Sequence, residues 1–281
     1  MNGASREALA AAREQLDALT DNSPRFAGDA PSSVDAVSSL AEELAAVTAL
    51  LDREVTLRRA LTDPAQPGEA KAELVGRVLG GQIGGEAADL VAGMVRARWS
   101  RARDLVDVLE ELADTADLTA AQRAGQLDEV EDELFRFGRI VTGDKQLRGA
   151  LTDRVGTGAA KAGLLHTLLG GRANPVTERL VVRLVERPRG RSLEGGLEAL
   201  SKLAAERRGR MVAVVSTAVP LSDGQKERLG AALSRLYGRD MHLNLDVDPA
   251  VLGGISVRVG DEVINGSVAD RLDEVKRGMR G

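Results

Sequence analysis

Apolar residues recur at steps of three and four along most of the chain, which is the spacing of one face of an α-helix. A first helix over residues 1–20 is predicted by Leu9, Ala12, Leu16 and Leu19. Residues 21–36 are rich in Asp, Asn, Ser, Pro, Gly and Ala, a composition typical of a linker. Apolar stripes then continue to about residue 210, so this part of the chain is expected to be a helical bundle.

An internal repeat divides the helical part into two copies. Residues 43–81 match residues 133–171 at 16 of 39 positions, with a constant offset of 90 and no gap. The apolar stripe repeats as well, since Val37, Leu40 and Leu44 correspond to Leu127, Val130 and Leu134. A period this long indicates the duplication of a whole bundle segment, and not a short-period solenoid.

Each copy is expected to be a three-helix segment. The pattern predicts a helix of about 20 residues, a Thr-Asp turn, a short helix ending at Gly-Gly, and a long helix. The first copy covers residues 37–118 and the second covers residues 119–210. The second copy runs directly into the last part of the chain.

Residues 211–281 change to the period of two that marks β-strands. An apolar, β-branched run over 211–219 ends at Pro220, and Ser222 with Gln225 spells a helix capping box. Alternating residues over 241–247 and 255–259 predict two more strands, and a final helix is predicted by Val268, Leu272, Val275 and Met279. The expected fold class is therefore mainly α, with a small C-terminal α/β domain ordered strand-helix-strand-strand-helix.

The composition of the chain argues against several classes of function. Aromatic residues make up only 2% of the chain and the net charge is −5, which argues against nucleic acid as a partner. The chain has no cysteine, which suits a reducing compartment. The N-terminus lacks the basic and apolar pattern of a signal peptide, and no apolar run approaches the roughly 20 residues of a membrane span. No direct membrane insertion is expected.

No catalytic, cofactor or metal site is predicted. The glycine-rich stretch over 79–85 follows a helix and lacks the Lys-Ser/Thr ending of a phosphate loop, so Gly80-Gly81 is interpreted as a helix C-cap. His166 and His242 are the only histidines and show no spacing of a triad or of metal ligands. The carboxylates between Asp104 and Glu133 are interpreted as a charged outer face of helices, which could also orient a charged partner.

Two arginine clusters occupy equivalent places in the two copies. They are interpreted as solvated faces, with the alternative that they dock acidic helices: Arg96, Arg98, Arg101 and Arg103, then Arg183, Arg187, Arg189, Arg191, Arg207, Arg208 and Arg210. The lone tryptophan, Trp99, is expected in the core, with an interface anchor as the alternative. The candidate protein-interface residues are therefore Trp99, Arg187, Arg189 and Arg191.

The C-terminal part resembles the delta subunit of bacterial F-type ATP synthases, a relative of the mitochondrial oligomycin-sensitivity-conferring protein. The resemblance rests on short motifs in the family's order and spacing, namely Pro220-Leu221-Ser222, Asp248-Pro249, Gly253-Gly254, Val259-Gly260-Asp261 and Gly266-Ser267-Val268. A typical member has one helical segment after its first helix. The second copy is its counterpart, and the copy over 37–118 is extra.

The resemblance implies a non-catalytic stator subunit of the peripheral stalk, at the cytoplasmic face of the bacterial plasma membrane. Its implied partners are N-terminal helices of the alpha subunits for the helical domain and b-type stalk subunits for the C-terminal domain. No cofactor is implied. Two alternatives remain open at this stage: a helical-repeat adaptor unrelated to the synthase, and a small-ligand enzyme that uses the α/β unit.

Overall fold

The computed structural model describes residues 3–23, 25–26, 31–153, 155–207, 211–219, 221–237, 241–247, 255–259 and 262–265. Within these residues the helices are α1 (Gly3–Asn22), α2 (Pro31–Arg53), α3 (Val55–Thr62), α4 (Gly68–Leu79), α5 (Gly85–Arg96), α6 (Ala102–Arg123), α7 (Leu127–Gly143), α8 (Lys145–Thr152), α9 (Gly158–Leu169), α10 (Pro175–Glu186), α11 (Leu193–Arg207) and α12 (Asp223–Tyr237). The strands are β1 (Met211–Thr217), β2 (Met241–Val247), β3 (Ile255–Val259) and β4 (Glu262–Asn265). The predicted mainly α class is confirmed.

The region expected to be a linker is shorter than the sequence suggested. Helix α1 runs on to Asn22, and α2 begins at Pro31, inside the predicted 21–36 linker. Proline is well suited to the first turn of a helix, because the N–H group it lacks would have no partner there. Residues 27–30 lie outside the described part of the chain.

Each copy contains five helices where the pattern predicts three. The first copy is α2–α6 and the second is α7–α11. The additional helices are α3 with α8, before the Thr-Asp turns, and α5 with α10, before the long helices. Helix α3 is separated from α2 by Glu54 alone. The apolar stripe continues across this short break, so its periodicity predicts one continuous helix.

The two Gly-Gly pairs confirm the predicted helix ends. Gly81 and Gly171, which follow α4 and α9, have φ angles of 78° and 69°, in the left-handed region that glycine adopts without strain. A Cβ added to the preceding Gly80 would stand 2.3 Å from the Gly76 carbonyl oxygen. At Gly170 the same test gives 2.5 Å from the His166 carbonyl oxygen. The duplication is thus preserved down to the geometry of its turns.

Helix α6 lies at the centre of the first copy. Every residue from Asp104 to Ala121 is buried except Asp107 and Glu111, which are partly exposed, as is typical of a helix largely enclosed by others. Leu105, Leu109 and Leu112 belong to one apolar cluster with residues of α1, α2, α4 and α5. The first helix, α1, therefore packs in the extra copy.

Helix α1 runs parallel to α6. The Ser5 hydroxyl donates to Asp104 (2.8 Å), and Arg13 donates to Glu111 (2.7 Å). At the other end of both helices, Arg123 donates to the carbonyl oxygen of Thr20 (2.7 Å). These contacts follow the same order along both helices, so they fix the register of α1 on α6.

The C-terminal sheet has the strand order β2-β1-β3-β4. Strand β1 is parallel to β2 and antiparallel to β3, and β4 is antiparallel to β3. Helix α12 is the crossover that a parallel pair requires. The predicted strand-helix-strand-strand order is confirmed by β1, α12, β2 and β3, and β4 is a further strand that the predicted order lacked. The final predicted helix, with Val268, Leu272, Val275 and Met279, lies outside the described residues.

The Ser222 capping box forms in part. The Ser222 backbone N–H donates to the Gln225 side-chain oxygen (2.8 Å), as expected. The Ser222 hydroxyl donates to the same oxygen (2.9 Å), instead of accepting from the Gln225 backbone N–H. That N–H donates to the Ser222 carbonyl.

The chain forms two compact units. One comprises residues Met1–Glu133 and Ala150–Arg189, and the other comprises Leu134–Gly149 and Gly190–Gly281. The first unit thus holds α1 and the extra copy together with α9 and α10, whereas most of α8 belongs to the second unit. The division into residues 37–118, 119–210 and 211–281 stays a prediction, and its boundary at residue 118 lies within α6.

Replacing Gly171 with alanine is expected to lower the free energy of unfolding by about 1–2 kcal/mol, because a side chain is strained at positive φ. The control is Gly163→Ala inside α9, where the added Cβ meets open space. That substitution should raise the free energy of unfolding by roughly 0.5–1 kcal/mol. Thermal unfolding followed by circular dichroism measures both, and equal midpoints for the two variants would contradict the cap geometry.

Candidate functional site

The candidate site is a groove along α10, a helix with a firmly fixed start. Asn174 caps α10, since its side-chain oxygen accepts from the Val176 N–H (3.0 Å) and Pro175 occupies the first turn. The Asn174 N–H donates to Glu133 (2.9 Å), and its side-chain amide donates to Gln126 (3.0 Å). These bonds tie the start of α10 to the beginning of α7.

The groove has a volume of about 380 Å³ and opens to solvent. It is lined by His166, Pro175, Glu178, Arg179, Val182, Arg183, Glu186 and Arg187. All but His166 lie on or next to α10 and recur at steps of three and four, so they form one face of the helix. His166 of α9 hydrogen-bonds Glu178 at one end.

Two arginines of the groove reach back to carboxylates of α6. Arg179 donates through Nε (3.0 Å) and Nη2 (2.7 Å) to one oxygen of Asp117. Arg183 donates to the other oxygen of Asp117 (2.7 Å) and to Asp114 (2.6 Å). Asp117 is fully buried, so these charge-assisted bonds are shielded from solvent. Both arginines are held with their stems along the groove.

A third arginine, Arg189, joins α6 from the segment after α10. Its side chain is almost completely buried and forms ion pairs with Glu110 and with Asp107 (3.2 Å). Its φ angle is 47°, which is unusual for a residue with a side chain. The Arg189 carbonyl accepts from Arg103 at the start of α6 (3.3 Å). The chain is therefore anchored to α6 where α10 ends.

Burial changes the titration of this network. It raises the pKa of Asp114 to about 7, although the charge and hydrogen bond of Arg183 oppose the shift. Nearby Glu110 and Asp117 raise that pKa further. For Arg183, burial alone would lower the pKa, but Asp114 and Asp117 outweigh it and raise the pKa above its ordinary value.

The structure corrects the interpretation of the acidic cluster. The expected outer face is wrong for Glu110, Asp114 and Glu131, which are buried. Carboxylates are rarely buried without partners, and those of Glu110 and Asp114 meet arginines from the second copy. For Arg183 and Arg189, the acidic helix that they dock is α6 of the same chain. Asp107, Glu110, Asp114 and Asp117 recur at steps of three and four, so the sequence pattern itself suggests a polar face and gives no signal of this burial.

The four candidate interface residues are not brought together. Trp99 is buried in the core of the first copy, and its indole N–H donates to the Met94 carbonyl (2.9 Å). Arg189 is buried in its ion pairs, Arg187 is half-buried at the end of the groove, and Arg191 is exposed. Arg187 is the one that lines the groove. Sequence reasoning did not single out Pro175, Arg179 or Val182.

No group of three or more histidine, cysteine or acidic side chains within the described ranges is arranged to hold a metal ion. His166 is bonded to Glu178, and His242 lies in β2. Among the described helices, none combines the length and apolarity needed to cross a bilayer.

Replacing Arg183 with methionine is expected to lower the free energy of unfolding by about 3 kcal/mol, because it leaves buried carboxylates without their partner. Arg187→Met, one turn further along α10, is the matched control. Its side chain is half-buried, and a change of roughly 0.5 kcal/mol or less is expected there. Chemical denaturation measures both, and equal losses would contradict the buried network.

The raised pKa of Asp114 predicts a pH dependence. Its contribution is fully present below its ordinary pKa of 3.8 and is lost as the pH rises to about 7, because the unfolded chain releases this proton first. The free energy of unfolding of the wild type minus that of Asp114→Asn should therefore fall between pH 4 and about pH 7. Thermal melts at several pH values test this, and a constant difference would refute it.

Comparisons with known proteins identify the family. The family model described as ATP synthase delta (OSCP) subunit matches residues 115–279, more than half of the chain. A solved structure, the Toxoplasma gondii mitochondrial ATP synthase hexamer, contains a chain that is similar over 60% of this chain and 95% of its own. Its identity is 23% and its TM-score is 0.41.

Curated relatives match over their whole length. ATP synthase subunit delta of Streptomyces griseus is 73% identical over 281 residues, covering 100% of both chains. That of Streptomyces coelicolor is 70% identical over 99% of this chain and 97% of its own, and that of Thermobifida fusca is 46% identical over 100% of both. The chain therefore belongs to the ATP synthase delta (OSCP) subunit family.

Proposed function

We propose that the groove along α10 binds an N-terminal helix of an alpha subunit of the synthase's catalytic head. The observation that carries this proposal is the fixation of Arg179 and Arg183 by α6. Because their charged ends are already paired, their stems stay in place beside Val182 and present an ordered wall. A preorganised groove binds a helix with less loss of side-chain freedom.

Membership of the family gives the chain's general role, which the proposed groove must serve. The chain is a peripheral-stalk subunit of the F-type ATP synthase and has no catalytic role of its own. Family membership decides against the unrelated adaptor and the small-ligand enzyme. A stator subunit keeps the catalytic head from turning with the rotor, so it needs contacts that resist torque. Helix-in-groove binding provides such contacts.

The side chains that line the groove indicate which kind of helix it would bind. Pro175 and Val182 supply apolar contact, while Arg187 and Glu186 place both signs of charge along the edge. A matching helix would be amphipathic, with an apolar face toward Val182 and mixed charges at its sides. The N-terminal helix of an alpha subunit is the partner that the resemblance to the family implies.

The C-terminal domain, residues 211–281, is proposed to bind the end of a b-type stalk subunit. The groove belongs to one compact unit and the sheet to the other, so the two partners would use separate units. Val219 and Leu236 are each 67% exposed and offer apolar contact. The assembly would place the chain at the cytoplasmic face of the bacterial plasma membrane.

The groove is tested by titrating the purified chain with a synthetic peptide of the alpha subunit's N-terminal helix in a calorimeter. Val182→Glu should weaken binding about tenfold or more, because it places a charge against the apolar face of the peptide. The control is Val155→Glu, the same substitution at a residue that is 92% exposed and outside the groove. Equal affinities of the wild type and Val182→Glu would refute the groove as the site.

A further inference from the structure

We infer that Asp114 and Asp117 of α6 are positioning residues for α10, so that the extra helical copy shapes the partner groove without touching its occupant. The inference rests on the proposed function of the groove. It means that α6 closes the first bundle and also serves the second bundle as its first helix. Three independent observations support this double role.

The first observation is an equivalence between helix pairs. The repeat offset of 90 places Arg183 of α10 at Gly93 of α5. Gly93 faces α1, because a Cβ added there would lie 2.7 Å from the side-chain oxygen of Gln15. Arg183 faces α6, where it donates to Asp114 (2.6 Å). Helix α6 therefore packs against α10 in the way that α1 packs against α5.

The second observation comes from the segments that follow these helices. After α5, the Ser100 N–H donates to the hydroxyl of Ser5 near the start of α1 (2.9 Å). After α10, the Arg189 carbonyl accepts from Arg103 near the start of α6 (3.3 Å). The chain thus returns to the beginning of the first helix in both bundles. This contact is separate from the one at Gly93 and Arg183, and it shows the same antiparallel direction of α1 along α5 and of α6 along α10.

The third observation is the extent of the family match. The match begins at residue 115, inside α6, and continues to residue 279. The family's domain therefore includes the end of α6 and all of α7–α11. In this chain the helix that opens the family's domain is continuous with the last helix of the extra copy.

The charges make this assignment specific. Asp117 binds Arg179 and Arg183. If Gln15 of α1 is taken as the counterpart of Asp114, the counterpart of Asp117 three residues further on is Ala18. Helix α1 would leave both arginines without a carboxylate if it lay against α10. If α6 instead lay against α5, Asp117 would face Asp89, because Asp89 occupies the position in α5 that Arg179 occupies in α10. Like charges disfavour that pairing, so each first helix fits only its own bundle.

The first test uses the full chain without a partner and measures hydrogen exchange along α10. Asp117→Asn keeps the shape of the side chain and removes its charge, so amide exchange in α10 should accelerate about tenfold or more. Exchange in α2 and α4 should stay unchanged, which shows that the first bundle remains folded. The matched control is Glu111→Gln, at a partly exposed position of the same helix that pairs with Arg13 of α1, and it should leave α10 protected.

The second test measures the affinity for the alpha-subunit peptide. Asp117→Asn should weaken binding about fivefold or more, and Asp117→Glu, which restores a carboxylate, should recover most of the loss. Leu180→Ala controls for stability alone, because Leu180 is a buried apolar residue of the same helix. It should lower the melting temperature while leaving the affinity within about twofold.

Each outcome decides between the two proposals. Unchanged exchange in α10 of Asp117→Asn overturns the positioning role, whatever the peptide does. Equal losses of affinity in Leu180→Ala and Asp117→Asn, at equal losses of melting temperature, also overturn it. A third outcome is faster exchange in α10 of Asp117→Asn, with a peptide affinity that neither Asp117→Asn nor Val182→Glu changes. This outcome would support the positioning of α10 by α6 but would refute the groove as the partner site.

Discussion

The buried carboxylates of α6 are the constraint on which the first compact unit depends. A helix that is buried along almost its whole length needs a partner within the protein for each of its buried charges. Asp104 meets Ser5 of α1 and Arg101, while Asp114 and Asp117 meet arginines of α10. The polar groups of α6 therefore determine which helices can surround it. The apolar cluster supplies most of the burial, and the charges select the arrangement.

This arrangement suits a subunit that must transmit force. Two bundles joined by a flexible linker could turn relative to each other under torque, as linked domains ordinarily do. Within the first compact unit, a turn of α10 against α6 would break the buried ion pairs of Asp114 and Asp117.

Local features of the fold could be read from the sequence, whereas the partners of α6 could not. The Gly-Gly ends of α4 and α9 and the alternation of β2 and β3 are determined by neighbouring residues, and the predictions for them hold. The burial of Asp114 depends on Arg183, which is 69 residues away, and no local pattern encodes that pairing. The break at Glu54 was missed because the apolar stripe crosses it. The groove was missed for a similar reason, since Val182 looks like any residue of an amphipathic helix.

The divergence of the two copies explains why an ion-pair network is retained in so buried a place. Replacing a buried ion pair by apolar residues is often neutral or stabilising, so stability alone gives little reason to keep one. A duplicated chain faces a different difficulty, because α1 and α6 must each pack against the correct one of two similar segments. Small apolar residues at both seams would make the alternatives nearly equal in energy. Asp117 pairs with Arg179 in one bundle, whereas Ala18 and Asp89, which stand at the equivalent positions of α1 and α5, are both exposed. An exchange of α1 and α6 would leave Arg179 without its carboxylate. The network at the seam thus ensures that one chain adopts one order of helices, and the groove along α10 inherits its shape from that order.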